Sequence, residues 1–125
     1  MARRPSRELT EAELRLMNVL WTSGPSTVGD IAAKLDTQPP LAYSTVLTTL
    51  RILEGKGYLQ HKKEGRAFVY EPRVAQAEAS TGAVKHLLSR FFNNSPELLV
   101  ASLLKDETIG RKELNRLKRL IAERG

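Results

Sequence analysis

Hydroxyl side chains dominate one face of a helix that the sequence predicts over residues 42–54. At about 100° per residue, Ser44, Thr48 and Arg51 share this face, and Thr45 flanks it. Serine and threonine are poor helix formers, and an ordinary solvated face would carry lysine and glutamate. Hydroxyls exchange hydrogen bonds with base edges and phosphates, and arginine binds guanine. The face therefore indicates a helix that enters a DNA groove, with a plain solvated face as the alternative.

A β-hairpin with a basic connection follows this helix directly. Its strands are predicted over residues 58–61 and 67–70, and residues 62–66 join them. The connection contains three basic side chains, Lys62, Lys63 and Arg66. Such a tip would lie along a phosphate backbone or enter the minor groove, unless it serves only as a solubilising loop. A groove-entering helix followed by a basic hairpin predicts a winged helix-turn-helix.

Two further helices come before this pair of elements. Thr10 and Glu13 are spaced as a capping box for the first helix, and the second helix begins near Thr27. Residues 38–40, which include two prolines, are expected to stop the second helix. The first helix carries an apolar stripe that is expected to enter the core: Leu14, Met17, Leu20 and Trp21.

The pattern after residue 72 is helical only. We therefore expect a mainly α protein with one small β-hairpin, organised as a winged-helix DNA-binding domain (residues 1–72) and a helical dimerisation domain (residues 73–125). About 50 residues enclose a core poorly, so their apolar ridges indicate self-association, with packing onto the first domain as the alternative. The residues expected to form this surface are Phe91, Phe92, Leu98, Leu99, Leu103, Leu104, Leu114, Leu117 and Ile121.

Composition argues against several classes of function. The net charge of +6, with a pI near 9.9, favours an acidic partner such as nucleic acid. The absence of cysteine excludes disulfides, thiolate metal sites and a cysteine nucleophile, and it suits the cytoplasm. His61 and His86 are accompanied by no carboxylate cluster or phosphate-binding loop, so we expect no enzyme, no metal and no cofactor. No segment reads as an export signal or a membrane span.

Several segments together resemble the penicillinase-repressor family, the BlaI/MecI/CopY group of bacterial winged-helix repressors. They are LTEAELRLMNVLW, LAYSTVLTTLRILEGKGYL, KKEGRAFVYEP and the helical stretches around ELLVASLLKDE and ELNRLKRLIAE. The resemblance implies a transcriptional repressor that binds a pseudo-palindromic operator as a homodimer joined through its C-terminal helices. A winged helix used only for protein contacts, without sequence-specific DNA binding, is the competing interpretation.

The resemblance also implies roles for individual positions. Base contacts would fall on Ser44, Thr45 and Thr48, and Leu47 stands where the penicillinase repressors carry a basic reading residue. Arg66 matches the arginine of the wing. A regulatory protease would cut at Ser102–Leu103, where the β-lactam-responsive members have an Asn–Phe bond. The copper-responsive members carry a cysteine cluster that this chain lacks.

Overall fold

A computed structural model describes residues 9–35 and 41–124 of the 125-residue chain. The chain divides into two compact units, Met1–Ala83 and Val84–Gly125, and the division falls within a helix. The functional boundary predicted after residue 72 stays a prediction. The helices are α1 (Glu11–Ser23), α2 (Val28–Lys34), α3 (Tyr43–Lys56), α4 (Gln76–Phe91), α5 (Pro96–Lys105) and α6 (Arg111–Arg124), and the strands are β1 (Ser26–Thr27), β2 (Leu59–Glu64) and β3 (Ala67–Pro72).

The predicted capping box at the start of α1 is confirmed. The Glu13 amide donates to Thr10 Oγ1 over 3.1 Å, and the Thr10 amide donates to Glu13 Oε1 over 2.9 Å. The predicted apolar stripe was wrong at Leu14, which is 42% exposed, whereas Leu16 is fully buried. The buried face runs through Glu13, Leu16 and Leu20, and Leu14 lies at its edge because successive residues rotate by about 100°.

Helix α2 begins where the sequence predicts. Thr27 caps it by accepting a hydrogen bond from the Asp30 amide over 3.1 Å. The helix ends at Lys34, and the predicted stop at residues 38–40 lies outside the described residues. Residues 1–8, whose polar sequence MARRPSRE predicts a basic N-terminal arm, also lie outside them.

Helix α3 has the predicted phase but longer bounds than residues 42–54. Val46, Leu50 and Leu53 on its inner face are fully buried. Gly57 ends the helix in the left-handed conformation with φ of 94°, which glycine adopts without steric cost. The core around this face consists of Leu16, Met17, Leu20, Val28, Ile31, Val46, Leu50, Leu53, Tyr58, Leu59, Tyr70 and Val74.

The β-structure is a three-stranded antiparallel sheet in the order β1-β3-β2. The two-residue strand β1 was missed, because so short a strand has no alternation to recognise; it pairs Ser26 with Tyr70. The predicted hairpin strands were too short. Lys62 pairs with Val69 inside the ladder, and the connection is reduced to Gly65 and Arg66. Gly65 has a positive φ of 60° at this tight turn.

A side-chain hydrogen bond attaches the segment between β3 and α4 to the first unit. Trp21 Nε1 donates a hydrogen bond to the Val74 carbonyl over 2.8 Å, and the indole packs partly buried against the core. Trp21 is therefore a core anchor, as predicted. Val74 itself is buried, so the chain leaves β3 fixed to the winged-helix core.

The second unit contains the end of α4 together with α5 and α6. The sequence Asn93-Asn94 predicts the end of α4, and this break is confirmed by φ angles of 48° and 58° at the two residues. Ser95 and Pro96 next predict an N-cap and a first-turn proline for α5. This start is also confirmed, because Ser95 accepts a hydrogen bond from the Leu98 amide over 3.2 Å and Pro96 occupies the first turn. Across the described residues of α4, α5 and α6, no side chain is buried.

Candidate nucleic-acid interface

The outer face of α3 is exposed as predicted at Ser44, Thr45, Thr48 and Arg51. Thr48 Oγ1 donates to the Ser44 carbonyl over 2.9 Å, four residues earlier in the helix. This bond uses the hydroxyl proton, so Thr48 presents its oxygen as an acceptor and its methyl group to the outside. Thr48 therefore suits amino groups and thymine methyls of base edges better than it suits phosphate oxygens.

Leu47 differs from the other predicted contacts on α3. It is half-buried and packs against the hydrophobic core. Only part of its side chain can face a partner, and that part is apolar. Leu47 can therefore supply van der Waals contact but no hydrogen bond from its side chain at the position where the family resemblance predicts a basic reading residue.

The basic side chains of the hairpin are all exposed, but they do not form a single patch at its tip. Lys62 and Lys63 are neighbours on β2 and so point to opposite faces of the hairpin. Lys62 shares its face with Glu64, whose carboxylate lies 3.6 Å from the lysine Nζ. Arg66 alone among them occupies the turn. The expectation of a three-residue basic tip was wrong, because the strands extend further than their sequence pattern indicates.

A cleft of about 590 Å³ lies between the start of α2, the side of α3 and one face of the hairpin. Sequence reasoning placed Arg51 and Arg66 in the interface but missed the aromatic residues and the histidine beside them. Alternation along the hairpin would have put these on one face, because His61 pairs with Tyr70 and Lys63 pairs with Phe68. The side chains that give the cleft its chemistry are Tyr43, Arg51, His61, Arg66, Phe68 and Tyr70.

A hydrogen-bond contact joins the hairpin to α3 inside this cleft. His61 Nδ1 lies 2.6 Å from Glu54 Oε2. The His61 ring also meets the Phe68 ring edge-on, with centroids 5.3 Å apart, and lies 5.2 Å from the Tyr70 ring. The polar contact and the two ring contacts fix the orientation of the hairpin relative to α3.

Arg51 on α3 and Tyr70 on β3 both line the cleft. Burial and then the Glu54 carboxylate raise the pKa of the Tyr70 phenol above its ordinary value of 10.0, whereas the positive charge of Arg51 acts to lower it. The phenol therefore stays neutral at physiological pH.

A buried ion pair holds the far end of α3. Lys56 Nζ lies 2.7 Å from Glu13 Oε1, and the Glu13 side chain is 6% exposed. Burial acts to raise the pKa of the Glu13 carboxyl, but bonds from Lys56 and Thr10 outweigh it and keep this pKa below its ordinary value of 4.5. The contact ties the last turn of α3 to the first turn of α1.

The sequence and this geometry agree with a known family. Residues 9–123 match the family model described as Penicillinase repressor. The chain belongs to the penicillinase repressor family. It is 28% identical over 116 residues to the penicillinase repressor of Bacillus licheniformis, covering 93% of this chain and 91% of that protein. It is 21% identical over 114 residues to the methicillin resistance regulatory protein MecI of Staphylococcus aureus (strain N315), covering 91% and 93%.

Solved structures support the same fold. The DNA-binding domain of the repressor BlaI aligns with a TM-score of 0.53 and 30% identity, covering 61% of this chain and 93% of that one. A possible transcriptional regulator for arsenical resistance aligns with a TM-score of 0.54 and 26% identity, covering 78% and 91%. The winged-helix prediction is confirmed. As a member of the penicillinase repressor family, the chain is a DNA-binding transcriptional regulator and not an enzyme.

The residues predicted to join two copies of this chain are all at least partly accessible. Phe91 is 68% exposed, Leu104 is 59% exposed and Ile121 is 67% exposed. The remaining predicted residues are exposed or half-buried: Phe92, Leu98, Leu99, Leu103, Leu114 and Leu117. Val84, Leu87, Val100 and Leu120 are also exposed and were not among them.

Metal-binding and membrane-spanning features were searched over residues 9–35 and 41–124. Within these ranges no group of three or more His, Asp or Glu side chains could hold a metal ion. No helix in the same ranges is long and apolar enough to cross a lipid bilayer.

Proposed function

We propose that this member of the penicillinase repressor family binds a pseudo-palindromic DNA operator as a homodimer, with each copy placing α3 in the major groove of one half-site. The observation that carries this proposal is the division of α3 into two faces. Its inner face is fully buried at Val46, Leu50 and Leu53, so the helix is held firmly while its hydroxyl-rich face stays accessible. A rigid helix with hydrogen-bonding groups on its free face is what direct reading of base edges requires.

Base reading and phosphate binding fall on different elements in this proposal. Ser44, Thr45 and Thr48 on α3 contact base edges, with Leu47 adding an apolar contact. The basic side chains of the hairpin contact the backbone: Lys62, Lys63 and Arg66. The hairpin contacts position the protein on any duplex, and the helix contacts distinguish one sequence from another.

The second copy of the chain is proposed to cover the apolar faces of α4, α5 and α6. These helices expose large side chains such as Phe91, Leu104 and Ile121, which a folded monomer would leave in water. A two-fold axis through this surface would present two α3 helices to one duplex, and the operator would repeat the same symmetry.

Release of the repressor by proteolysis is proposed to act at Ser102–Leu103. Both residues are exposed, but they lie within the regular helix α5. A protease needs an extended chain, so α5 must unwind locally before the bond is cut. Cleavage there would remove part of the proposed dimer surface and weaken operator binding.

Selection of bound sites from random duplex DNA tests the proposal. The expected result is an inverted repeat whose half-sites are about one helical turn or more apart. Duplex binding should also weaken by roughly three orders of magnitude or more from low to moderate salt if several phosphates are contacted. A protein that binds no duplex at low salt would be a winged-helix protein-interaction module instead.

Two substitutions separate base reading from phosphate binding. Thr48→Ala should alter the preferred sequence while leaving binding to unrelated duplexes unchanged. Arg66→Ala should weaken binding to all duplexes about equally and reduce the salt slope by about one. If Thr48→Ala lowers specific and non-specific binding by the same factor, α3 does not read base edges and its proposed role is wrong.

A further inference from the structure

We infer that α3 recognises thymine at two positions of its half-site, with Leu47 and Thr48 as the side chains that contact the C5-methyl groups. The inference rests on the proposed function, because it assumes that α3 enters the major groove. It goes further by naming the bases that are read. It also assigns Leu47, where the family resemblance predicts a basic reading residue, to a base other than guanine.

The hydroxyl protons of two threonines on α3 are used inside the helix. Thr48 Oγ1 donates to the Ser44 carbonyl over 2.9 Å, and Thr49 Oγ1 donates to the Thr45 carbonyl over the same distance of 2.9 Å. A hydroxyl carries one proton, so Thr48 offers a base edge an acceptor oxygen and a methyl group but no donor. Thr48 is exposed, whereas Thr49 is half-buried at the edge of the inner face.

A T·A pair matches the groups that Thr48 presents. In the major groove this pair carries the thymine methyl and the adenine amino group, which donates a hydrogen bond. A G·C pair also carries an amino group, on cytosine, but it carries no methyl group. The methyl contact is therefore what distinguishes the two pairs for Thr48, and it favours thymine.

Leu47 extends this apolar surface along α3. Its side chain is half-buried and packs against the core, so the accessible part is held in place. A guanine pressed against it would leave the O6 and N7 acceptors without a donor, which costs free energy. A thymine methyl in the same place buries apolar surface on both sides of the contact. Leu47 therefore favours thymine as well.

Other side chains on this face keep hydrogen-bond donors. Ser44 and Arg51 are both exposed on the outer side of α3 and can donate to bases or phosphates. Methyl recognition is therefore assigned only to the two base pairs that face Leu47 and Thr48. The rest of the half-site is left to hydrogen-bonding contacts.

Replacement of thymine by deoxyuridine tests methyl recognition, because it removes the C5-methyl group and keeps every hydrogen-bonding group of the pair. The operator obtained by site selection is prepared with one replacement at each thymine in turn, and fluorescence anisotropy gives the dissociation constant of the full chain. At two thymines of each half-site the wild type should bind about threefold to fivefold more weakly, as for the loss of one buried methyl group. Replacement in flanking DNA outside the operator should have no effect.

Paired variants of Thr48 separate its methyl group from its hydroxyl. Thr48→Ser keeps the hydroxyl and lacks the methyl, so the deoxyuridine effect at one thymine should fall below about 1.5-fold. Thr48→Val keeps a methyl group at the same place and lacks the hydroxyl, so the effect at that thymine should persist. Thr49→Ser is the matched control, because it loses the same methyl group on the half-buried side of α3. It should retain the effect at both thymines.

Two variants of Leu47 address the second thymine. Leu47→Ala removes the contact, so the deoxyuridine effect there should fall below about 1.5-fold. Because Leu47 also packs against the core, thermal unfolding checks that this variant is folded at the assay temperature. Leu47→Lys introduces a donor that suits guanine, so site selection with this variant should replace the second thymine by guanine.

The outcomes separate methyl recognition from the proposed function. If the wild type selects an inverted repeat but no deoxyuridine weakens binding, the inference is overturned and the proposed function stands. Deoxyuridine effects that persist in full in both Thr48→Ser and Leu47→Ala would also overturn it, since other groups would then contact the methyls. If the wild type selects no duplex sequence at all, the proposed function fails first, and the inference falls with it.

Discussion

Helices α3 and α6 are each 14 residues long and amphipathic, yet their apolar faces differ in burial. On α3 the apolar side chains are fully buried, as Leu50 illustrates. On α6 no side chain is buried, and Leu120 and Ile121 remain 63% and 67% exposed. An amphipathic pattern shows that a face will be covered, but it does not say by what. For α3 the cover is the rest of its own unit, and for α6 we propose a second copy of the chain.

Truncation of a core side chain should give the largest change in stability. Leu50→Ala is expected to lower the free energy of unfolding by about 2–5 kcal/mol, because it opens a cavity at a fully buried site. Urea denaturation followed by circular dichroism measures this loss. Ile52→Ala on the same helix is the control, since Ile52 is 47% exposed and should cost less than about 1 kcal/mol. An equal loss in the free energy of unfolding for the two variants would contradict the difference in burial between the two faces of α3.

A charged side chain introduced on the exposed apolar face of α6 should weaken the association of two copies of the chain rather than the stability of the fold. Ile121→Glu is expected to raise the dimer dissociation constant by about a hundredfold, because the side chain would be buried in both copies. Sedimentation equilibrium measures the constant. Arg119→Glu on the other side of α6 should change it by less than about threefold. A wild type that stays monomeric at micromolar concentration would contradict the dimer.

The buried ion pair of the first unit should make its stability depend on pH. The pKa of Glu13 is held below 4.5 in the folded protein, so its contribution is present above that pH and is lost as pH falls through the lowered value. Glu13→Gln is expected to cost about 1–3 kcal/mol at neutral pH, since Lys56 loses its partner. Urea titrations over a series of acidic pH values should show this cost shrinking. A cost that is independent of pH would exclude the ion pair as its source.

Removal of a helix N-cap should give the smallest change in the free energy of unfolding. The size of this change should differ between the two units. Thr10→Ala breaks a reciprocal capping box and is expected to cost about 1 kcal/mol. Ser95→Ala removes a single exposed bond to Leu98 and should cost about 0.5 kcal/mol. Thermal unfolding of each variant, with Thr10→Ser as the conservative control, measures both values. A larger cost at Ser95 would mean that α5 is the better-supported helix.

Elements that depend only on interactions between neighbouring residues could be predicted from the sequence. The phase of α3, the capping box at Thr10 and the break at Asn93 each follow from interactions within a few positions along the chain. The predicted apolar stripe of α1 was wrong at Leu14. Leu14 and Leu16 point in different directions from the helix, and packing against the rest of the core determines that Leu16 is the buried one.

Features that depend on distant pairing could not be predicted in the same way. Strand β1 exists because Ser26 meets Tyr70, which lies far along the chain. The contact of His61 with Glu54 and the ion pair of Glu13 with Lys56 likewise join separate elements. The hairpin ends were misplaced because the residues from Lys62 to Glu64 are charged on both faces and show no apolar alternation.

The bond between Trp21 and the Val74 carbonyl gives the protein a built-in optical reporter. The chain contains a single tryptophan, so the tryptophan part of its intrinsic fluorescence comes from one known place. That indole is half-buried and is attached to the backbone just before α4. Detachment of this segment would wet the indole and shift its emission to longer wavelength without a dye or a label. Operator binding, acidification and cleavage could each be followed through the same signal at the junction between β3 and α4.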